Sequence, residues 1–396
     1  MTALSPRLST AAVRAFLDPH HDEWNRHCAE VVTSRVAPRP HAGSDEAARR
    51  EARALLEILG EGGLLAPIGS GDLRGCCVAR EAVGWASPLA DAVWALQGLG
   101  ITPLLRAGSE AQRDRWVPDA LAGRCMTAFA MTEPEAGSDV ASMSTRAVRD
   151  GDVWVLDGRK WLISNAGIAD LYVVFASTNP QAGSRGITAF LVPADTPGCR
   201  FAGPQVMSAP HPLGEMVFED CRVPDTARLG DEGTGFKIGM ATLDQLRPTV
   251  GAAAAGMAAR ALDEALAHAL DRRQFGKALA DFQTIQGKLG QAAVELDAAR
   301  LLVYRAAFEK DAGAERITLE AAMAKAFATE AAQRIIDEAI QVVGGIGVLA
   351  DHPVELLYRS IRALRIYEGT TEIQHLIIAG RMVAEARAAG SPEASE

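Results

Sequence analysis

Cysteine, lysine and long apolar runs are all scarce in this chain. The six cysteines, Cys28, Cys76, Cys77, Cys125, Cys199 and Cys221, show no C-x-x-C spacing. Neither a zinc site nor a disulfide framework is therefore expected, and a reducing compartment fits best. Only six of the forty basic residues are lysine, and the net charge is -10. Bulk electrostatics thus argue against nucleic-acid binding, and any anionic ligand must be held by local arginines or backbone N–H groups. No apolar run reaches the ~18–20 residues of a membrane span, and no signal-peptide core is present. The first seventeen residues lack acids and carry Arg7 and Arg14, a weak transit-peptide pattern. Pro6 and the run 10–17 read more simply as the start of a helix. A cytoplasmic protein is expected, with the mitochondrial matrix as the alternative, and no metal, nucleic acid or membrane partner.

What is present is a chain of 396 residues, 48% of them hydrophobic, enough for a large core and two or three domains. Apolar positions recur at helical spacing through 8–35, 44–63 and 76–123. From about 125 to 233 the period shifts toward two. The strand Val153, Trp154, Val155, Leu156 lies between Asp-Gly turn signals, and 171–176, 187–192 and 215–219 read as further strands of a small antiparallel β domain. After Gly233 the chain turns Ala-rich, with helices expected over 237–270, 282–312, 318–343 and 372–389 in an antiparallel bundle. The fold class is α+β, mainly α: an N-terminal helical domain over 1–124, a middle β domain over 125–233 and a C-terminal four-helix bundle over 234–396. The last seven residues, polar from Gly390 on, are expected to fray.

Residues 69–75 mimic a dinucleotide-binding loop, but the third glycine comes one residue late and Pro67 interrupts the stretch before it. They read as a plain loop. The most informative segment is 365–374, RIYEGTTEIQ. Ile366 and Tyr367 can exclude water and raise the pKa of Glu368, while Gly369 permits a positive-φ turn that aims the carboxylate into a cavity. The same residues equally suit a helix N-terminus, with Thr370 or Thr371 as the cap.

Four further stretches keep this segment company: 130–139 (AMTEPEAGSD), 158–165 (GRKWLISN), 271–277 (DRRQFGK) and 341–347 (QVVGGIG). Together and in this order they resemble the acyl-CoA dehydrogenase family over nearly the whole chain. From about residue 234, including 243–250 (LDQLRPTV), the likeness is to its medium-chain straight-acyl branch. The resemblance implies an FAD flavoprotein that introduces a trans-2,3 double bond into a saturated acyl-CoA and passes electrons to an electron-transferring flavoprotein, as a homotetramer. Glu368 becomes the base. Phe129, Met131, Thr132, Ser138, Leu162, Ile163 and Ser164 are implied to line the flavin, with the Ser164 hydroxyl at its N5. Arg272, Gln274 and Phe275 are implied at the pyrophosphate, and Phe282, Gln283, Thr370 and Glu372 also at the cofactor. Gln341, Val342, Gly344 and Gly345 would come from a neighbouring subunit. Ser138, Asp244, Arg247 and Gly369 are implied to contact the acyl-CoA, and Val93, Trp94 and Gln97 to line the acyl pocket.

Two departures stand out. The family places a Trp where Leu162 stands, and here the indole is one residue earlier, at Trp161. On a regular strand that shift reverses the face, which makes Trp161 a core or interface residue. The loop at 69–75 is also shorter than usual. Leu246 cannot ionise where another branch of the family carries its base, so Glu368 is the one matched carboxylate. A carrier-protein thioester as substrate and a flavin-free helical interaction protein are the alternatives.

Overall fold

A computed structural model describes residues 8–350 and 352–389. The polar tail from Gly390 and residues 1–7, including Pro6 and Arg7, lie outside the described residues.

Six helices open the chain: α1 (Pro19–Val31), α2 (Asp45–Glu61), α3 (Ala66–Ser70), α4 (Leu73–Ala86), α5 (Pro88–Ala107) and α6 (Glu110–Leu121). Their starts are written in the sequence. Ser44, Ser87 and Ser109 each accept a hydrogen bond from the third helical N–H, and Pro88 opens α5 at a position where its missing donor costs nothing. Residues 69–75 differ from the expected loop: 66–70 is a helical turn, Gly71 reverses the chain at φ 75°, and Asp72 caps α4 by accepting from the Gly75 N–H at 2.8 Å.

Eight strands form the middle sheet: β1 (Thr127–Ala130), β2 (Arg146–Asp150), β3 (Val153–Ser164), β4 (Leu171–Ser177), β5 (Ile187–Pro193), β6 (Cys199–Pro204), β7 (Leu213–Pro224) and β8 (Arg228–Leu229). Their order is β6-β7-β3-β2-β4-β5-β8, with β1 beside β4. Most pairs are antiparallel, as expected, but β1 and β2 each join β4 in parallel. Alternation along β3 and β7 buries Trp154, Leu156, Met216 and Phe218 in a core of the sheet's own.

The C-terminal third holds α7 (Gly235–Asp271), a hairpin of β9 (Arg273–Gln274) and β10 (Lys277–Ala278), then α8 (Gln283–Asp311), α9 (Thr318–Val343), α10 (Pro353–Leu364) and α11 (Thr371–Ala389). The short α10 was not anticipated. Asp244 of α7 accepts from Thr318 at the start of α9, and Gly251 lies against Ala324 and Ala328, so α7 and α9 run parallel. Their C-terminal ends therefore share one end of the bundle. No described helix is long and apolar enough to cross a membrane.

Arginines from the first helices weld the three parts. Arg49 donates to the carbonyls of Ala166 and Leu213, Arg53 pairs with Asp170, and Arg74 pairs with Asp311 at the end of α8. In the interior, Arg300 and Tyr304 of α8 bond the buried carboxylate of Glu81 on α4.

Helix α4 meets α7 at glycines. A Cβ on Gly256 would sit 2.0 Å from the Glu81 carbonyl oxygen, so only glycine allows this approach. Gly256→Ala is expected to destabilise the fold by about 1–3 kcal/mol or more through overpacking. Denaturant unfolding checks it, and an unchanged midpoint would mean that the crossing is not this tight.

Candidate active site

Between α10 and α11 the backbone turns at two consecutive positive-φ residues, Glu368 at 55° and Gly369 at 95°. For glutamate this region is sparsely populated and strained, so surrounding contacts must hold it. They do. Arg247 Nε donates to the Glu368 carbonyl at 3.1 Å, Lys325 Nζ to that of Gly369 at 2.7 Å, and Gln374 Nε2 reaches both. A Cβ on Gly369 would meet Gln374 Nε2 at 2.5 Å. Both readings of the segment coexist, because Thr370 Oγ1 also accepts from the Ile373 N–H and caps α11.

While the backbone is held, one carboxylate oxygen is left unoccupied: Glu368 Oε2 is buried without a hydrogen-bond partner among the described residues. Burial raises its pKa above the ordinary carboxylate value, against the downward pull of Arg80, Lys325 and Arg247. Ile366 is exposed and takes no part in the shielding, whereas Tyr367 packs on the core. Burial also pushes the Lys325 ammonium down to about 8, with Glu368 pulling the other way. Arg247 is itself anchored by Asp244, whose second oxygen accepts from Thr318 at 2.8 Å. Leu246, one residue before, is buried with Ala95, Leu96 and Leu99 of α5.

The stretches 130–139 and 158–165 lie side by side, joined by the Trp161 N–H and the Thr132 carbonyl at 2.9 Å. Beneath them Lys160 is fully buried, donating to Glu133 at 2.7 Å and to the Met131 carbonyl at 3.0 Å. Phe129 packs against Phe175 with the rings tilted by 56°, Met131 is buried, Thr132 is half-buried and Ser138 is exposed.

The face-reversal argument for Trp161 does not hold. The β3–β7 register slips between Lys160 and Ile163, and Leu162 adopts φ 55°, so alternation is interrupted there. Trp161 is half-buried, and Leu162 is 50% exposed with its N–H on Gln205 Oε1. The Ile163 side chain belongs to the sheet core. Ser164 Oγ lies 2.7 Å from His211 Nε2, a partner that sequence reasoning missed. His211 sits in the loop before β7, where no periodic pattern marks it. The expected pocket liners also prove structural. Trp94 donates to the Leu64 carbonyl, Gln97 bonds Ala120, Cys125 and Thr127, and Val93 is fully buried.

At the far end of α7, Phe275 and Gly276 form the tip of the β9–β10 hairpin, both at positive φ. Phe275 is 93% exposed, and Arg272, Gln274 and Gln283 are exposed around it, with Phe282 edge-on at 6.2 Å. Gln341, Gly344 and Gly345 are exposed at the same end of the bundle, and Val342 is buried. An added Cβ on either glycine would meet nothing within 4 Å. Thr370 is half-buried and Glu372 exposed at the start of α11.

Family models described as the N-terminal, middle and C-terminal domains of acyl-CoA dehydrogenase match residues 18–124, 128–221 and 233–383. The probable acyl-CoA dehydrogenase FadE25 of Mycobacterium tuberculosis is 38% identical over 372 residues, 91% of this chain and 95% of that protein. The chain belongs to the acyl-CoA dehydrogenase family. The human mitochondrial short-chain specific acyl-CoA dehydrogenase is 44% identical over 287 residues, 72% of this chain and 69% of that protein. Among solved structures, butyryl-CoA dehydrogenase from Megasphaera elsdenii has a TM-score of 0.86 at 32% identity, covering 93% of this chain and 99% of that one. This acyl-CoA dehydrogenase homologue is thus an oxidoreductase of a family of FAD-dependent flavoproteins.

The residues present fit such a cofactor. Gln205 Nε2 is buried without a partner among the described residues, and its amide oxygen already holds the Leu162 N–H. Phe275, exposed in a positive-φ turn beside Arg272, offers an aromatic face and a guanidinium to a ligand.

Burial raises the Glu133 pKa, but Lys160, Thr145 and Ser144 outweigh it and bring it down to about 2. The carboxylate's contribution to stability is therefore present above its unfolded value near 4.5 and is lost as pH falls toward 2. Glu133→Gln leaves Lys160 buried and uncompensated. It is expected to cost roughly 3–5 kcal/mol at neutral pH and to flatten the stability profile between these two values. Equal stability of both proteins at pH 7 would contradict this account.

Proposed function

We propose that this protein catalyses α,β-dehydrogenation of a short, straight-chain acyl-CoA, with Glu368 as the base that removes the α-proton. The observation that carries the proposal is the buried, unpartnered Oε2 of Glu368 on a backbone clamped by Arg247, Lys325 and Gln374. A base needs a fixed position, an unoccupied lone pair and a pKa raised toward that of its task, and this carboxylate has all three. Bound FAD supplies the acceptor for the hydride that leaves the β-carbon.

The chain's own residues divide the remaining work. The Glu368 main-chain N–H donates to the thioester carbonyl and so favours enolate character at the α-carbon. Asp244, Arg247, Gly369 and Ser138 contact the acyl-CoA. The edge formed by Phe129, Met131, Thr132, the main chain of Leu162 and Ile163, and Ser164 orients the isoalloxazine and excludes water. Arg272, Gln274 and Phe275, with Phe282 and Gln283, hold the pyrophosphate. A guanidinium fork suits that group better than an ammonium would.

Thr370 and Glu372 also contact the cofactor, and Gln341, Val342, Gly344 and Gly345 complete a neighbouring subunit's site in a homotetramer. Supporting this, Val294 and Leu301 on α8, Leu376, Met382 and Val383 on α11, and Ile346, Val348 and Leu349 expose apolar side chains. A short acyl chain is favoured because Ala95, Leu96 and Leu99 of α5 pack against Leu246, next to Arg247 of the Glu368 clamp. The named likenesses to short-chain and butyryl-CoA enzymes point the same way. Electrons then pass to an electron-transferring flavoprotein.

Purified protein is expected to be yellow, with close to one FAD per chain. Its flavin should bleach anaerobically faster with butyryl-CoA than with palmitoyl-CoA. A colourless protein, or a flavin that no saturated acyl-CoA bleaches, would overturn the reading. Arg272→Ala is expected to weaken FAD binding by about 1.5–3 kcal/mol, the worth of a charged hydrogen bond, which flavin retention on gel filtration measures.

A further inference from the structure

We propose that His211 is a positioning residue for the flavin, acting through Ser164: it fixes the hydroxyl that faces the hydride-accepting nitrogen. The inference rests on the reading above, which places Ser164 at that nitrogen.

The geometry is locked on both sides of the pair. Asn165 N–H donates to the Pro212 carbonyl at 2.7 Å, which ties the residue after Ser164 to the residue after His211. Arg49, reaching in from α2, spans the same two segments by donating to Ala166 at 2.5 Å and Leu213 at 2.7 Å. Asn165 itself holds φ 63° and bonds the Thr127 carbonyl through Nδ2, so the end of β3 is pinned to β1 as well. Within this frame Ser164 Oγ and His211 Nε2 stand 2.7 Å apart.

Hydrogen-bond valence gives the pair its use. A hydroxyl has one donor and two lone pairs. The hydride-accepting nitrogen of an oxidised flavin is an acceptor, and after reduction it is a donor. If Ser164 spent its O–H on His211, it would face the oxidised ring lone pair to lone pair. If the imidazole donates from Nε2, the Ser164 O–H is free to donate to the oxidised ring and to turn away on reduction. Its second lone pair then accepts. The charged groups facing the imidazole are Arg49 and Asp45, themselves paired, and burial together with Arg49 holds its pKa down to about 4 while Asp45 pulls it up. The ring is therefore neutral near pH 7, and its proton can sit on Nε2 without adding a charge beside the flavin.

The test is a double-mutant cycle on the FAD-loaded protein, read by the flavin absorption spectrum and midpoint potential rather than by turnover. Ser164→Ala and His211→Ala are expected to shift both readouts in the same direction. The double variant should match Ser164→Ala alone, and His211→Gln, which keeps a donor near Nε2, should move back toward wild type. If His211→Ala does not load FAD, His211→Phe, of similar size and without a donor, takes its place. Additive shifts, or a silent His211 substitution beside an active Ser164→Ala, would overturn the inference and leave the placement of Ser164 standing. A silent Ser164→Ala with flavin bound would overturn both.

Discussion

A buried carboxylate can keep an oxygen unpaired only if something else fixes the chain that carries it. At Glu368 the fixing is done on main-chain oxygens: Arg247, Lys325 and Gln374 all donate to the carbonyls of residues 368 and 369. The cations are thus close enough to moderate the pKa of the carboxylate, yet they do not occupy its Oε2. Were any of them bonded there, the lone pair that a base requires would be taken. The strained φ at Glu368 is the local consequence of this division of labour.

The rest of the fold supports that arrangement. Because α7 and α9 run parallel in register, Arg247 and Lys325 approach one turn from two helices. The contact between α4 and α7 at Gly84 and Gly256 allows the Arg80–Asp91 pair, buried at 2.7 Å, to sit within electrostatic reach of Glu368. Long arginine side chains from α2 then bring the C-terminal end of β3 into a fixed relation with the helices.

Much of this was legible in the residues, and the pattern of misses is physical. The long helices α7, α8, α9 and α11 fall within one or two residues of the ranges expected from apolar period and from the glycine and proline boundaries. The Glu368–Gly369 turn was one of two readings that the segment allowed, because glycine tolerates positive φ, although the positive φ of Glu368 itself was not expected. Period fails where regular geometry fails. A bulge at Leu162 cancels the alternation on which the Trp161 argument depended, and the two parallel pairings of β4 are tertiary choices that no local pattern encodes. Trp94 and Gln97 looked like pocket residues because helix position alone does not say which way a side chain points; their hydrogen bonds show them filling the core. His211 is joined to Ser164 across 47 positions by loop geometry alone, beyond any sequence window.

The central claim is that Glu368 accepts the substrate's α-proton. Its most direct test is rapid anaerobic mixing of butyryl-CoA with FAD-loaded Glu368→Gln, whose amide keeps the side chain's shape but cannot take a proton. The account predicts that flavin content and acyl-CoA binding persist while bleaching slows by several orders of magnitude, roughly 4 kcal/mol or more in barrier. Bleaching at near wild-type rate would contradict it and would send the search for the base to another residue.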